Sequence, residues 1–118
     1  MQHTIRRLAL LAFACAGLSA CTNRPQSLYQ WQNYQADVDS YFRSDKLSPE
    51  EQTRQMEEGL QKIKANGATP PPGYNAHLGL LYGQQGRPDL FVQQIEAEKL
   101  QFPESEKFMD FLLRNFKK

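Results

Sequence analysis

Apolar residues in the stretch after Ser27 recur at the spacing of an α-helix, and no segment shows the apolar–polar alternation of a strand. The first apolar stripe consists of Tyr34, Val38, Tyr41 and Phe42, which stand at i, i+4, i+7 and i+8. This spacing puts all four on one face of a helix. The pattern predicts a first helix from about Tyr29 to Arg43.

The second predicted helix carries both a start signal and a stop signal. Ser48 suits the N-cap, Pro49 suits the first helical position, and Glu51 stands three residues after the cap. The apolar stripe then continues with Met56, Leu60 and Ile63. We expect the helix to end at Asn66 and Gly67, because glycine readily takes the left-handed conformation of a C-cap.

Consecutive prolines at positions 70–72 interrupt the helical pattern. Prolines lack an amide donor and favour an extended backbone, so no helix continues through them. Two interpretations are open: a stiff connector between helical hairpins, which we favour, and a ligand for a proline-recognition domain.

Three more helices are predicted after the prolines, over residues 73–85, over residues 88–102 and from about residue 103 to the chain end. The fold class is therefore all-α, with about five helices. We expect one core that contains Leu78, Leu81, Tyr82, Ile95 and Leu112.

Residues 73–118 resemble a tetratricopeptide repeat. The resemblance rests on the spacing of Leu78, Gly79, Tyr82, Gly86, Ile95 and Pro103. Leu112 and Phe116 stand one repeat length, about 34 residues, after Leu78 and Tyr82. The last helix therefore looks like the start of another unit or its cap. The resemblance implies tetratricopeptide-like helical hairpins, in which Gly79 lets the partner helix approach closely.

Three residues depart from the repeat pattern: Asn75, Phe91 and Glu98. Phe91 and Glu98 stand where the repeat prefers small residues. Since a phenylalanine takes more space than an alanine, we expect a splayed hairpin at Phe91.

The first twenty residues have the pattern of a bacterial export signal. Arg6 and Arg7 precede an uncharged apolar run over residues 8–18, which is too short to span a bilayer because a spanning helix needs about 20 apolar residues. The sequence Leu-Ser-Ala-Cys at 18–21 resembles the lipobox of bacterial lipoproteins. The alternative is an ordinary secretory signal that is cut after Ala20. We expect a cleaved lipoprotein signal peptide at 1–20, a lipidated Cys21 with a short tether at 21–27, and a helical tetratricopeptide-like domain at 28–118.

The predicted mature chain is close to neutral. Loss of Arg6 and Arg7 reduces the 14 basic residues to 12, against 13 acidic ones, which gives a net charge of −1 and no reason to expect nucleic acid. Cys15 leaves with the signal, and lipid on Cys21 accounts for the remaining cysteine. In Gram-negative lipoproteins, aspartate after the lipidated cysteine usually retains the protein in the inner membrane. Thr22 stands at that position here, so the resemblance to these lipoproteins implies an outer-membrane protein that faces the periplasm.

The mature chain also resembles a family of small bacterial lipoproteins known as a domain of unknown function. The resemblance rests on Leu28–Trp31, Tyr34, Pro71–Gly73, His77–Gly79, Leu81–Tyr82, Phe102–Ser105 and Met109–Leu113. Members are often encoded beside two other lipoproteins, one of which resembles the curli-secretion pore. The resemblance therefore implies a place in an envelope complex.

No pattern of residues predicts a catalytic or metal site. His77 is the one histidine of the predicted mature chain, and no second histidine or cysteine is spaced to share a metal with it. The paired glutamates lie on solvated helix faces, and no GxSxG elbow is present. We expect no enzyme and no cofactor. The leading interpretation is a lipid-anchored interaction module. The alternatives are a ligand-binding lipoprotein with a pocket near His77 and Tyr74, and a degenerate hydrolase.

Four residues are candidates for interaction: Trp31, Leu80, Phe111 and Leu113. Trp31 is either an interfacial membrane anchor or a staple of the first helix. Leu80 belongs to a weakly polar groove on the third helix, together with Ala76, Gly83 and Gln84, which suits a packed helix or an apolar peptide. Phe111 and Leu113 exceed what one face of the last helix buries, so we expect at least one of them to stay partly exposed and to bind a protein partner or a second copy.

Overall fold

The computed structural model describes residues 27–43 and 47–116. Regular structure in this part of the chain is entirely helical: α1 Tyr34–Arg43, α2 Pro49–Ala65, α3 Tyr74–Gln84, α4 Pro88–Gln101, a 3₁₀ turn Pro103–Ser105 and α5 Glu106–Asn115. The predicted all-α class with about five helices is confirmed. Among these helices, none has the length and hydropathy needed to cross a membrane. The predicted signal, Cys21, the tether up to residue 26 and the last two residues lie outside the described residues.

Helix α2 begins and ends at the residues that the sequence indicates. The Ser48 hydroxyl accepts a hydrogen bond from the Glu51 amide at 3.3 Å, and Pro49 is the first helical residue. At the other end, Gly67 has a φ of 61°. These caps could be predicted from the sequence because each depends only on residues within a few positions of the helix end.

Helix α1 begins at Tyr34, so the prediction of a start near Tyr29 was wrong. The amide of Gln30 donates to the carbonyl oxygen of Thr69 at 2.9 Å, and Gln32 has a φ of 46°, which a helix does not allow. The ring of Tyr29 lies edge-on to Phe102, with 5.9 Å between centroids. These contacts with the connector after α2 and with the end of α4 replace helical hydrogen bonds in residues 27–33.

Helix α3 is the centre of the fold, and other helices contact it on four sides. Leu78 packs in a cluster with side chains of α2, and Ala76 packs with side chains of α4 and α5. His77 faces α1, with its ring 4.9 Å from that of Tyr41, and Gly79 faces α4. Because apolar partners surround it, α3 is apolar on all its sides instead of carrying one stripe.

The core is divided into two clusters by α3, and the prediction of one core was wrong. The first cluster comprises Met56, Leu60, Ile63, Tyr74, Leu78, Leu81 and Tyr82. The second comprises Ala76, Phe91, Ile95 and Met109, with Leu80, Leu112, Leu113 and Phe116 packed against it. Helical spacing shows which residues share a face, but not which of two neighbouring helices that face meets.

The hairpin of α3 and α4 is closed, contrary to the splayed arrangement expected from Phe91. A Cβ added to Gly79 would lie 3.3 Å from the carbonyl oxygen of Phe91 and 3.2 Å from Cδ1 of Ile95, so the two helices approach closely at this glycine. The Phe91 side chain is accommodated because it is directed to Phe116, on which it stacks at 3.9 Å between ring centroids. The resemblance to a tetratricopeptide repeat remains a prediction.

The proline segment connects α2 to α3. Pro70 and Pro71 are buried and Pro72 is exposed. A proline-recognition domain reads an exposed segment, so the burial favours the connector. Gly73 then takes a φ of 91° as the N-cap of α3.

Candidate functional site

Glu98 is a buried carboxylate that caps the start of α3. It lies near the end of α4, and its Oε1 accepts a hydrogen bond from the Gly73 amide at 2.6 Å. Its Oε2 accepts from the amides of Asn75 at 3.1 Å and Ala76 at 3.4 Å. Because Gly73 has no side chain to cap the helix, Glu98 satisfies the free amides and complements the positive end of the helix dipole.

The environment of Glu98 shifts its pKa in two opposing directions. Burial raises the pKa, and the hydrogen bonds from Gly73, Ala76 and Asn75 lower it; burial has the larger effect, so the pKa is raised. The carboxylate oxygens are occupied by the backbone of α3 and are not presented to solvent. We interpret Glu98 as a structural cap.

His77 is enclosed by aromatic rings. Its ring lies edge-on to Tyr41 at 4.9 Å and to Tyr34 at 6.2 Å, and burial lowers its pKa. Its Nε2 is buried and has no hydrogen-bond partner within the described residues. A neutral imidazole packed between α1 and α3 suits this environment, because a buried charge without a partner is costly.

The space beside Tyr74 is small. The Tyr74 hydroxyl donates to the carbonyl oxygen of Met56 at 2.8 Å, and burial raises its pKa. With Asp37, whose pKa burial also raises, Tyr74 lines a cavity of about 80 Å³. Such a volume holds about two or three water molecules, whereas small-molecule sites occupy roughly 300–1,000 Å³. No cluster of three or more metal-ligating side chains is found in residues 27–43 and 47–116.

Helix α5 presents two phenylalanines to solvent. Phe108 is 59 % exposed and Phe111 is 51 % exposed, and their rings stack with 6.3 Å between centroids at an angle of 13°. We call this pair the aromatic strip. The adjoining side of α5 packs against the second cluster through Met109, Leu112 and Leu113. At least one of Phe111 and Leu113 was predicted to stay partly exposed: Phe111 is exposed, whereas Leu113 is a partly buried residue at the edge of the core.

The charged residues next to the aromatic strip differ in their exposure to solvent. Lys107 and Arg114, which stand just before and after it in the sequence, are both exposed. Asp110 is turned towards α4, where the Lys99 ammonium group contacts it at 2.7 Å. The exposed side of α5 is therefore apolar, with a basic residue at each end of the strip and the exposed Glu106 one position before Lys107.

The groove predicted around Leu80 is not open. Leu80 is partly buried against the second cluster, and a Cβ on Gly83 would lie 2.7 Å from Cε2 of Phe116. The last helix and the residue after it fill this side of α3. Gln84 alone of the predicted groove is exposed, and its amide donates to the Tyr41 hydroxyl at 2.9 Å.

Trp31 has one side against the domain and one side in solvent. It is 43 % exposed, and its ring lies 6.3 Å from that of Tyr34, which in turn lies 5.0 Å from the ring of Tyr74. The staple contact is therefore present, and the membrane contact stays a prediction. The four candidate interaction residues do not form one surface, since Leu80 and Leu113 belong to the second cluster.

The cap formed by Glu98 was not predicted from the sequence. Asn75 and Glu98 were noted only as departures from the repeat pattern, yet they meet at the start of α3. The Asn75 side-chain amide donates to Oε1 of Gln101 at 3.2 Å. Two features of the sequence could have indicated this cap: a glutamate on the buried face of α4, and a glycine N-cap at the start of α3 that has no side chain to cap the helix itself.

Residues 28–112 match the family model described as a domain of unknown function (DUF4810). The match covers most of the chain, which therefore belongs to this family. No curated protein and no solved structure shows significant similarity to the chain.

Proposed function

We propose that this member of the DUF4810 family is a lipid-anchored interaction module of a bacterial envelope complex. In this proposal, lipid on Cys21 holds the domain at the periplasmic face of the outer membrane, and the aromatic strip of α5 binds a protein partner. The observation that carries the proposal is the exposure of Phe108 and Phe111 on a helix whose other side is packed. Full burial of a phenylalanine contributes about 1.5–3 kcal/mol, and each of these rings is about half exposed, so burying both supplies about one such contribution to a contact.

The partner that fits the strip is an apolar helix with acidic flanks on a different protein. Lys107 and Arg114 are exposed at the two ends of the strip. Two copies of α5 packed antiparallel would bring Lys107 of one beside Arg114 of the other, and the like charges would repel. A partner helix with Asp or Glu beside its apolar residues would bury the rings and pair both cations. A second lipoprotein of the same membrane, which the family resemblance suggests, is a suitable source.

The anchor is tested by changing Cys21 and Thr22. We expect Cys21→Ser to lose fatty-acid labelling and membrane attachment, because the thiol is the acceptor of the lipid. Thr22→Asp should shift the protein from the outer-membrane to the inner-membrane fraction. Equal labelling of the wild type and Cys21→Ser would contradict the anchor.

The surface is tested with Phe111→Asp in the full-length chain. The matched control is Phe42→Asp, which places the same charge on another exposed phenylalanine, on α1. After photo-crosslinking in intact envelopes, we expect the partner to be lost with Phe111→Asp and retained with the control. Equal capture by both variants would show that α5 does not bind it.

A charge reversal tests the chemistry of the partner. Lys107→Glu combined with Arg114→Glu should abolish the crosslink, and replacing the acidic flank of the captured helix by lysines should restore it. Recovery of crosslinked homodimers in place of a second protein would instead indicate self-association.

The packing around His77 and Tyr74 argues against a ligand pocket between them. The cavity beside Tyr74 has a volume of about 80 Å³. His77 is enclosed by the rings of Tyr34 and Tyr41. A ligand in this place would have to displace packed aromatic side chains.

A further inference from the structure

The start of the described chain lies at one end of the helical domain. The Gln30 amide bonds to the carbonyl of Thr69, and the Tyr29 ring contacts Phe102. Residues 27–30 and 66–69 together line a hollow of about 480 Å³. The last turn of α4, the connector between α2 and α3, and residues 27–30 therefore share one end of the molecule. We call it the tether end.

Two leucines of the tether end project almost completely into solvent. Leu28 is 84 % exposed and Leu100 is 85 % exposed, the highest values among the large apolar residues of the described chain. Tyr29, which follows Leu28, packs against Phe102, which stands two residues after Leu100. Single exposed leucines are common at protein surfaces. Here two of them flank the place where the predicted tether enters the domain.

The length of the tether limits how far this end can lie from the membrane. This step rests on the proposed lipid anchor at Cys21. Six residue steps connect Cys21 to Ser27, and an extended chain advances about 3.3 Å per residue, so they reach at most about 20 Å. The lipid holds Cys21 at the interface, and the tether end is the part of the domain nearest to it.

The charges near Leu100 indicate the type of lipid. A hollow of about 290 Å³ beside Leu100 is lined by Glu96, Lys99 and Glu106, with Pro103. The Lys99 ammonium group is already bound by Asp110, which leaves the glutamates as the dominant charges of this hollow. Anionic headgroups would be repelled there, but the exposed Lys62 and Lys64 in the last turn of α2 add positive charge to the same end of the molecule. Zwitterionic headgroups offer both signs of charge and therefore match this mixed surface.

We propose that the tether end docks on a zwitterionic phospholipid surface, with Leu28 and Leu100 in contact with lipid. The lipid on Cys21 confines the domain to the membrane, and the two leucines orient it. Docked in this way, the domain directs the far end of the α1–α2 hairpin away from the membrane.

The test uses the full-length, lipidated protein in vesicles of phosphatidylcholine and phosphatidylethanolamine. Single cysteines for an environment-sensitive dye are introduced as Leu28→Cys and Leu100→Cys. The control is Phe42→Cys, an exposed apolar position near the end of α1. We expect dye at 28 and 100 to shift to the blue and to lose intensity when shallow spin-labelled lipid is included, and dye at 42 to do neither. Circular dichroism of each variant should remain helical.

The outcomes separate the docking proposal from the anchor. Vesicles that carry the protein on flotation, with no quenching at 28 or 100, would overturn the docking and leave the anchor intact. Equal quenching at 42 would also overturn it, because the domain would then have no preferred face. Protein that does not float with the vesicles would contradict the anchor, and the docking proposal would fall with it. Replacing part of the lipid by phosphatidylglycerol should weaken the quenching, and stronger quenching would overturn the choice of zwitterionic lipid.

Discussion

Helices α3 and α5 are both apolar on more than one side, but their surroundings differ. Helix α3 is contacted by α2, α4, α1 and α5, and nearly every residue from Tyr74 to Tyr82 is buried. Helix α5 is packed on one side only, so Phe108 and Phe111 remain exposed while Met109 is buried. An excess of apolar residues therefore indicates a central helix in one place and a contact surface in another. The difference depends on how many neighbours the fold supplies.

The largest expected effect is in the core of α3. Leu81 is fully buried, so Leu81→Ala should lower the free energy of unfolding by about 2–5 kcal/mol, through lost contacts and a cavity. Urea denaturation of the chain from Thr22 onwards would measure the change. A loss below about 1 kcal/mol would show that α3 is not the centre of the fold.

The next effect concerns the cap of α3 by α4. Glu98→Ala removes the acceptor for three backbone amides and should cost about 1–3 kcal/mol, the penalty for unsatisfied buried donors. Glu98→Gln retains one oxygen acceptor and the side-chain shape, so its loss should be smaller. Thermal unfolding followed by circular dichroism would rank the two variants. Equal losses would contradict this ranking and indicate that the charged carboxylate with both oxygens is required, because Gln keeps the shape of the side chain.

A smaller effect should appear in the dependence of stability on pH. The pKa of His77 is lowered in the folded protein, from an ordinary value of 6.5. The unfolded chain therefore binds a proton more readily, and stability should fall as the pH decreases from about 6.5 towards the folded pKa. The raised pKa values of Asp37 and Glu98 act in the opposite sense.

The contribution of His77 is isolated by His77→Phe, which keeps a ring between Tyr34 and Tyr41 and removes the titration. Denaturation of both proteins should be measured between pH 5 and pH 7.5. The free energy of unfolding should decline on acidification, and the decline should be smaller in the variant. Parallel curves would mean that His77 titrates alike in the folded and unfolded chains.

The smallest effect on stability is expected at the aromatic strip. Phe111→Ala should change the free energy of unfolding by no more than about 0.5 kcal/mol, as is usual for an exposed position. Binding of the proposed partner should nevertheless weaken. If Phe111→Ala destabilised the fold as much as Leu81→Ala, the strip would belong to the core, and the contrast between α3 and α5 would disappear.

Local signals in the sequence determined the parts of the fold that depend on near neighbours. The cap at Ser48, the end of α2 at Gly67 and the break at the prolines were predicted at the residues where they occur, because each depends on backbone geometry within a few positions. The exposure of Phe111 was also foreseeable, since one face of a helix cannot bury every apolar residue of α5.

The tertiary structure alone decided which surfaces meet. The start of α1 at Tyr34, the division of the core into two clusters and the closed hairpin at Phe91 all depend on contacts between residues distant in sequence. Glu98 became a helix cap because α4 places it beside the amides that follow Gly73. Helical periodicity defines a face, but it carries no information about the partner of that face. Burial, pKa shifts and exposed surfaces therefore follow only after the helices have packed.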